Sequence, residues 1–139
     1  ENIMQRLLAR DELTACFIPD GIHVPSYALK NYFRAKPVGK VVFTTDCMSA
    51  AGAPDGEYML GPHKVVVGKD RVVRQPGKST FAGSSLSLDT GAANVHYWLG
   101  VSPDTAWKLC STSVADIFDI TLPEIDVPEN WPELFKDKP

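Results

Sequence analysis

The chain has 139 residues, 44% of them hydrophobic and 22% charged, with a formal net charge of −3 and a sequence pI of about 5.5. This composition excludes disordered, coiled-coil and collagen-like classes, and a chain of this size buries roughly two-thirds of its unfolded surface, enough for one domain rather than two. Mild acidity without a long Lys/Arg cluster argues against nucleic acid or membrane as the main partner; the apolar stretches fall short of the roughly 18 residues of a spanning helix, and the first residues do not read as a signal peptide.

Residues 2–10 carry Ile3, Met4, Leu7 and Leu8 at helical spacing, which predicts a helix. The chain starts at Glu1 within this pattern, so we expect a piece of something longer. Leu13 to Ile18 form a nearly continuous apolar run that stops at Pro19-Asp20-Gly21. Such a run suits a strand buried on both faces. Residues 25–36 place Ala28, Leu29, Tyr32, Phe33 and Ala35 on one helical face, with Pro25 in the first turn. A second buried run, Val41-Val42-Phe43-Thr44-Thr45, stops at Asp46. Strand, helix, strand with two-sided apolar strands is the pattern of a parallel crossover unit, hence an α/β class.

A small-residue loop follows, from Ser49 to Gly56, and then three short strands at 57–60, 64–67 and 71–74, separated by Gly61-Pro62 and Gly68-Lys69-Asp70. Helical spacing returns over 86–99 through Leu88, Ala92, Val95 and Leu99. Ser102-Pro103-Asp104 sets an N-cap serine, a first-turn proline and an early acid in the preferred order for another helix, with Ala106, Leu109 and Cys110 inward. Residues 121–139 are rich in proline and acids, which predicts an irregular tail. Cys16, Cys47 and Cys110 stand far apart without a paired C-x-x-C, and there is no N-x-S/T sequon. They read as reduced thiols of a cytoplasmic protein.

In parallel α/β folds, chemistry gathers where strands end. Both candidate strands end in an aspartate: one delivers Asp20-Gly21-Ile22-His23, the other Asp46-Cys47-Met48. A strand-end carboxylate with little solvent is suited to general base work or to a metal. The competing reading makes Asp20 a turn residue beside Gly21 and Asp46 a cap on its loop. By position Asp46 ranks first, then His23, then Asp20. His63, after Gly61-Pro62, and His96, beside Tyr97 and Trp98, read as structural or solvated. No two histidines stand at H-x-H or H-x-x-x-H spacing, so neighbouring ligands do not build a metal site here. Gly77-Lys78-Ser79 imitates a P-loop end, but Val72 occupies the required glycine position. Ala82-Gly83-Ser84-Ser85 is not a nucleophile elbow, because Leu86 fills the last glycine position. Phe81-Ala82-Gly83-Ser84 does offer small residues ahead of a helix, where backbone amides can donate to a ligand oxygen; a plain serine N-cap is the other reading.

Four blocks, Asp20-Gly21-Ile22-His23-Val24, Thr45-Asp46-Cys47-Met48-Ser49-Ala50-Ala51-Gly52, Asp55-Gly56-Glu57-Tyr58 and Phe81-Ala82-Gly83-Ser84-Ser85-Leu86, resemble in order and spacing the carboxyl-terminal half of the N-acetylglucosamine-6-phosphate deacetylase family, amidohydrolases. The likeness runs from about Leu13 to Ile120, without the Asn-Pro usual near Ser113-Val114. The resemblance implies the last two strands and closing helices of a distorted (β/α)8 (TIM) barrel over 1–120, with a β-hairpin insertion at about 56–76 and the irregular tail at 121–139. It implies a metal-dependent hydrolase that deacetylates N-acetylglucosamine 6-phosphate to glucosamine 6-phosphate and acetate in amino-sugar metabolism. It further implies a divalent metal, commonly zinc, held mainly by residues outside this chain; Asp46 as the catalytic acid/base near that metal; His23 and the backbone of Asp20, Gly21 and Ile22 as contacts to the sugar phosphate; and Phe81, Ala82 and Gly83 as a segment closing over the substrate. With two of eight strands, the chain alone is expected to be inactive and to seek the rest of the barrel or another copy, as a homo-oligomer, through open strand edges. The alternative is a truncated, catalytically inactive module that binds or interacts.

Overall fold

The computed structural model describes residues 2–123. Within it the chain divides into two compact units, residues 2–44 with 89–123, and Thr45–Leu88.

The first unit opens with α1 (Ile3–Leu8), where the Asn2 side chain accepts from the Met4 amide at 3.0 Å, the capping role that short polar residues take at helix starts. Strands β1 (Ala15–Phe17) and β2 (Val41–Phe43) pair in parallel, Cys16 opposite Val42, with α2 (Ser26–Ala35) between them in the chain. The ladder is closed by Ala15 N donating to Lys40 O (2.9 Å) and Thr44 N to Phe17 O (3.0 Å). α3 (Leu88–Leu99), α4 (Pro103–Cys110) and α5 (Thr112–Ile117) complete the α/β unit, and α4 and α5 pack on β2. Ser102 caps α4 by accepting from the Thr105 amide at 3.1 Å, with Pro103 in the first turn.

The core gathers Leu8, Phe17, Leu29, Val41, Phe43, Ala92, Val95 and Ala106. Phe43 and Leu29 are essentially sealed from water, and burying side chains of this size contributes roughly 1.5–3 kcal/mol each. Phe17 stacks on Tyr32 with centroids 5.7 Å apart.

Both predicted strands are shorter than their apolar runs; at β1, Leu13 turns back onto Arg10 (Leu13 N to Arg10 O, 3.1 Å) before the strand begins. Burial on both faces holds for β2, all three of whose residues are buried, and fails for β1, where Cys16 is exposed. The difference has a cause in the packing: helices cover β2, while β1 has β2 as its strand neighbour and no other among the described residues. Ala35, expected inward, is exposed where α2 ends.

The second unit is a three-stranded antiparallel sheet in the order β3-β4-β5: β3 (Gly56–Leu60), β4 (His63–Val67) and β5 (Val73–Arg74). Period-two alternation turns Val65 and Val67 inward, where they meet Met48, Ala50 and Val73. Leu86, predicted as helix, is instead buried outside any regular element, and α3 starts at Leu88. Thr121 to Pro123 have no regular structure, and the rest of the tail expected at 121–139 lies outside the described residues. No helix among the described residues is long and apolar enough to cross a membrane.

Candidate active site

In the first unit, the loop after β1 folds around the side chain of Asp20. Its Oδ1 accepts from the amides of Ile22 and His23, both at 2.9 Å, and its Oδ2 lies 2.6 Å from Nδ1 of His23. The Asp20 side chain is 5% exposed and that of His23 22%, so the carboxylate is turned into its own loop while the imidazole keeps a face toward solvent. A carboxylate only accepts, so Nδ1 carries the ring hydrogen and the lone pair of the neutral ring sits on Nε2. The turn reading of Asp20 is thus correct, and it is also what sets the tautomer of His23. The Ile22 and His23 amides are committed to Asp20.

Two residues of α3, one turn apart on the same face, hold this loop. Asn94 Nδ2 donates to Pro19 O at 2.9 Å, and Gly21, at φ +74°, lies so close to Trp98 that a Cβ there would come within 3.2 Å of the indole ring. Sequence reasoning missed both. Their spacing on the inward side of a predicted helix was the available signal.

In the second unit, Asp46 follows the end of β2 with φ +49°, the left-handed region that few non-glycine residues occupy. Its backbone is bracketed by Ser84: Ser84 N donates to Asp46 O (2.8 Å), Met48 N donates to Ser84 O (3.0 Å), and the Ser84 hydroxyl donates to Thr45 O. The Asp46 side chain itself belongs to an exposed residue, which corrects the expectation of a poorly solvated carboxylate: the chain has left the buried strand two residues earlier. Gly83, at φ +74°, lies so near that a Cβ there would sit 3.2 Å from Asp46 O. Asp46 and the Phe81-Ala82-Gly83 segment are therefore brought together as neighbours. The expectation of freely donating amides in this segment needs correction, since Ala82 N is bound to Val73 O at 3.0 Å and Ser84 N to Asp46 O. Phe81 itself is exposed, at 47%.

Behind Ser84 stands Arg71, also left-handed at φ +59°. Its guanidinium donates to the carbonyls of Ala53 (3.0 Å) and Ala50 (3.2 Å) and to Asp55 Oδ1 (3.3 Å), while its own carbonyl accepts from the Ser85 hydroxyl at 2.7 Å. The turn that presents it is fixed by Asp70, which accepts from Arg74 (2.8 Å) and from the Val72 amide (3.2 Å). The Arg74 guanidinium holds the Asp70 carboxyl below the usual range. No local pattern marks Arg71 as a hub, because its side-chain partners lie 14 or more residues away in the chain, at 50–55 and at Ser85.

The remaining candidates behave as structural groups. His96 Nδ1 is 2.6 Å from Val101 O, and His63 is an exposed residue paired with Leu60. Gly77-Lys78-Ser79 sits in a turn after β5, with Lys78 N on Gln75 O (3.0 Å), and opens no helix. The three cysteines are free; burial, then the neighbouring Cys16, pushes the Cys110 thiol from an ordinary 9.0 up to about 12.

No family model matches the chain. Among characterised proteins it is 36% identical over 108 residues, 76% of its length, to the N-acetylglucosamine-6-phosphate deacetylase of Vibrio furnissii, and 36% identical over 121 residues, 85% of its length, to that of Bacillus subtilis. It spans 26% and 30% of those two proteins. Among solved structures, the N-acetylglucosamine-6-phosphate deacetylase of Thermotoga maritima superposes with a TM-score of 0.71 at 32% identity, over 80% of this chain and 30% of that one. A variant of the Mycobacterium smegmatis enzyme, in complex with N-acetyl-D-glucosamine-6-phosphate, shares the fold with a TM-score of 0.72 at 24% identity, over 82% of this chain and 31% of that one. These likenesses point to one class, deacetylases named for amino-sugar phosphates. Within it, the chain is related over most of its length to a part of N-acetylglucosamine-6-phosphate deacetylase.

Proposed function

We propose that the chain is the carboxyl-terminal portion of a (β/α)8-barrel amidohydrolase that removes acetate from N-acetylglucosamine 6-phosphate, a cytoplasmic reaction giving glucosamine 6-phosphate. The observation that carries this reading is the 36% identity to such a deacetylase across 85% of the chain. In the reading, Asp46 takes a proton from the water that attacks the acetamide carbonyl and returns it to the departing amine nitrogen, so that acetate and a free amine result. Solvent exposure and a bracketed backbone suit a group that must meet both water and substrate. His23, its tautomer set by Asp20, contacts the sugar phosphate together with the backbone of Gly21, and the Phe81-Ala82-Gly83 segment closes over the substrate beside Asp46.

The reading also calls for a divalent cation, zinc in the family pattern, which would polarise the carbonyl and acidify water. Among the described residues no group of three His, Cys, Asp or Glu could hold a metal ion, so these residues do not fit such a site by themselves. The cation is assigned to residues outside this chain, as are the missing barrel strands, or a second copy of the chain, that would cover the edges of β1 and β2.

The test combines the chain with a polypeptide carrying the remaining strands and measures acetate release from N-acetylglucosamine 6-phosphate and from its galactosamine epimer. We expect no turnover by the chain alone and turnover by the mixture. Asp46→Asn should lower kcat by about 10²–10⁴-fold with KM nearly unchanged. Near-normal turnover by Asp46→Asn removes that residue from the mechanism, and sugar-phosphate binding without any turnover by the wild-type mixture replaces the enzyme by a binding module.

A further inference from the structure

Two of the non-glycine residues with left-handed backbone, Asp46 and Arg71, lie in the same unit, and both are tied to one dipeptide. Ser84 grips Asp46 through its amide and hydroxyl, on Asp46 O and Thr45 O, while its carbonyl takes the Met48 amide on the far side. Ser85 grips Arg71 through its hydroxyl on Arg71 O. Both serines are buried, at 3% and 7% exposure. The Ser84 hydroxyl also accepts from the Leu86 amide at 3.1 Å, so its hydrogen is committed to Thr45 O. A left-handed conformation at a residue with a side chain persists only where its surroundings over-determine it, and here the surroundings are this dipeptide.

We propose that Ser84 and Ser85 are positioning residues that hold Asp46 in its left-handed conformation and thereby aim its carboxylate. The Ser84 hydroxyl does this directly. Ser85 does it by anchoring the dipeptide to Arg71, whose guanidinium in turn caps the carbonyls of the loop after Asp46 at Ala50 and Ala53. The chemical consequence rests on the reading of Asp46 as the acid/base: a carboxylate that shuttles a proton between water and amine must hold one direction through both transfers, and a flexible strand end would not.

The test uses the full chain, with residual dipolar couplings reporting the sign of φ at Asp46 and kcat and KM measured in the reconstituted deacetylase. Ser84→Ala should move Asp46 out of the left-handed region and lower kcat about tenfold with KM within twofold. Ser49→Ala removes a serine hydroxyl bond of the same loop, to Met59 O at 3.2 Å, and should change neither. If Ser84→Ala does not fold, Ser85→Ala carries the test from the other end, with the same direction and a smaller drop. Retention of positive φ at Asp46 and of wild-type kcat in a folded Ser84→Ala or Ser85→Ala overturns the proposal. A wild-type mixture without turnover overturns the acid/base reading and leaves the couplings to decide the clamp.

Discussion

Gly21 and Gly100 form a natural pair for separating two effects at the loop that carries His23. Both are left-handed, at φ +74° and +72°, and both belong to the same unit. A Cβ at Gly100 would meet nothing within 4 Å, whereas at Gly21 it would stand 3.2 Å from the Trp98 ring. Gly100→Ala should therefore cost only the left-handed penalty of an L-residue, about 1–2 kcal/mol. Gly21→Ala adds a contact several tenths of an ångström inside the usual 3.5–4.0 Å separation of carbon atoms. Trp98 is partly buried and packed against the core of this unit, so it cannot retreat freely, and overpacking of this kind costs about 1–3 kcal/mol. Urea unfolding of the two variants followed by circular dichroism should show Gly21→Ala the less stable by about 1 kcal/mol or more. Amide exchange at Ile22 and His23, both bound to Asp20 Oδ1, should quicken in Gly21→Ala and not in Gly100→Ala. Equal losses in the two variants, or a milder loss at Gly21, would refute the claim that Trp98 packs the loop that carries His23 into place.

Asp20→Asn keeps one carbonyl oxygen for the Ile22 and His23 amides but can point an N–H at His23 Nδ1. The neutral ring should then carry its hydrogen on Nε2, which ring ¹⁵N shifts report; an unchanged Nδ1–H tautomer shows that Asp20 does not set it. The Cys110 thiol, pushed from 9.0 up to about 12 by burial and then by Cys16, makes stability depend on alkaline pH. Between pH 9 and about 12 the folded chain keeps a proton that the unfolded chain releases, so stability falls as pH rises through that window. Cys110→Ala should flatten the decline, and an equally steep slope in the variant contradicts the assignment. At pH 8 an alkylating reagent should reach exposed Cys47 well before Cys110, of which only about one molecule in ten thousand is thiolate; equal labelling rates in the folded chain speak against this.

Much of the architecture was legible because it is local. The alternation of Val65 and Val67, the capping order at Ser102-Pro103-Asp104 and the apolar runs at 13–18 and 41–45 act over a few residues, through strand pleat, unpaired helix amides and burial. The four blocks that point to the deacetylases were legible for the same reason, as was the placement of Asp20, His23 and Asp46 at strand ends.

Tertiary structure decided how those groups are held. The exposure of Cys16 depends on which helices cover which strand, something no apolar run contains. Asn94 reaches Pro19 across 75 residues, and Ser84 reaches Thr45 across 39. Such contacts follow from how finished elements pack, and residues far apart in the chain share no spacing that could announce them. The sequence by itself determined the elements, the strand-end aspartates and the family they resemble. Packing alone decided that Asn94 and Trp98 hold the loop of Asp20, and that two serines meet residues with left-handed backbone.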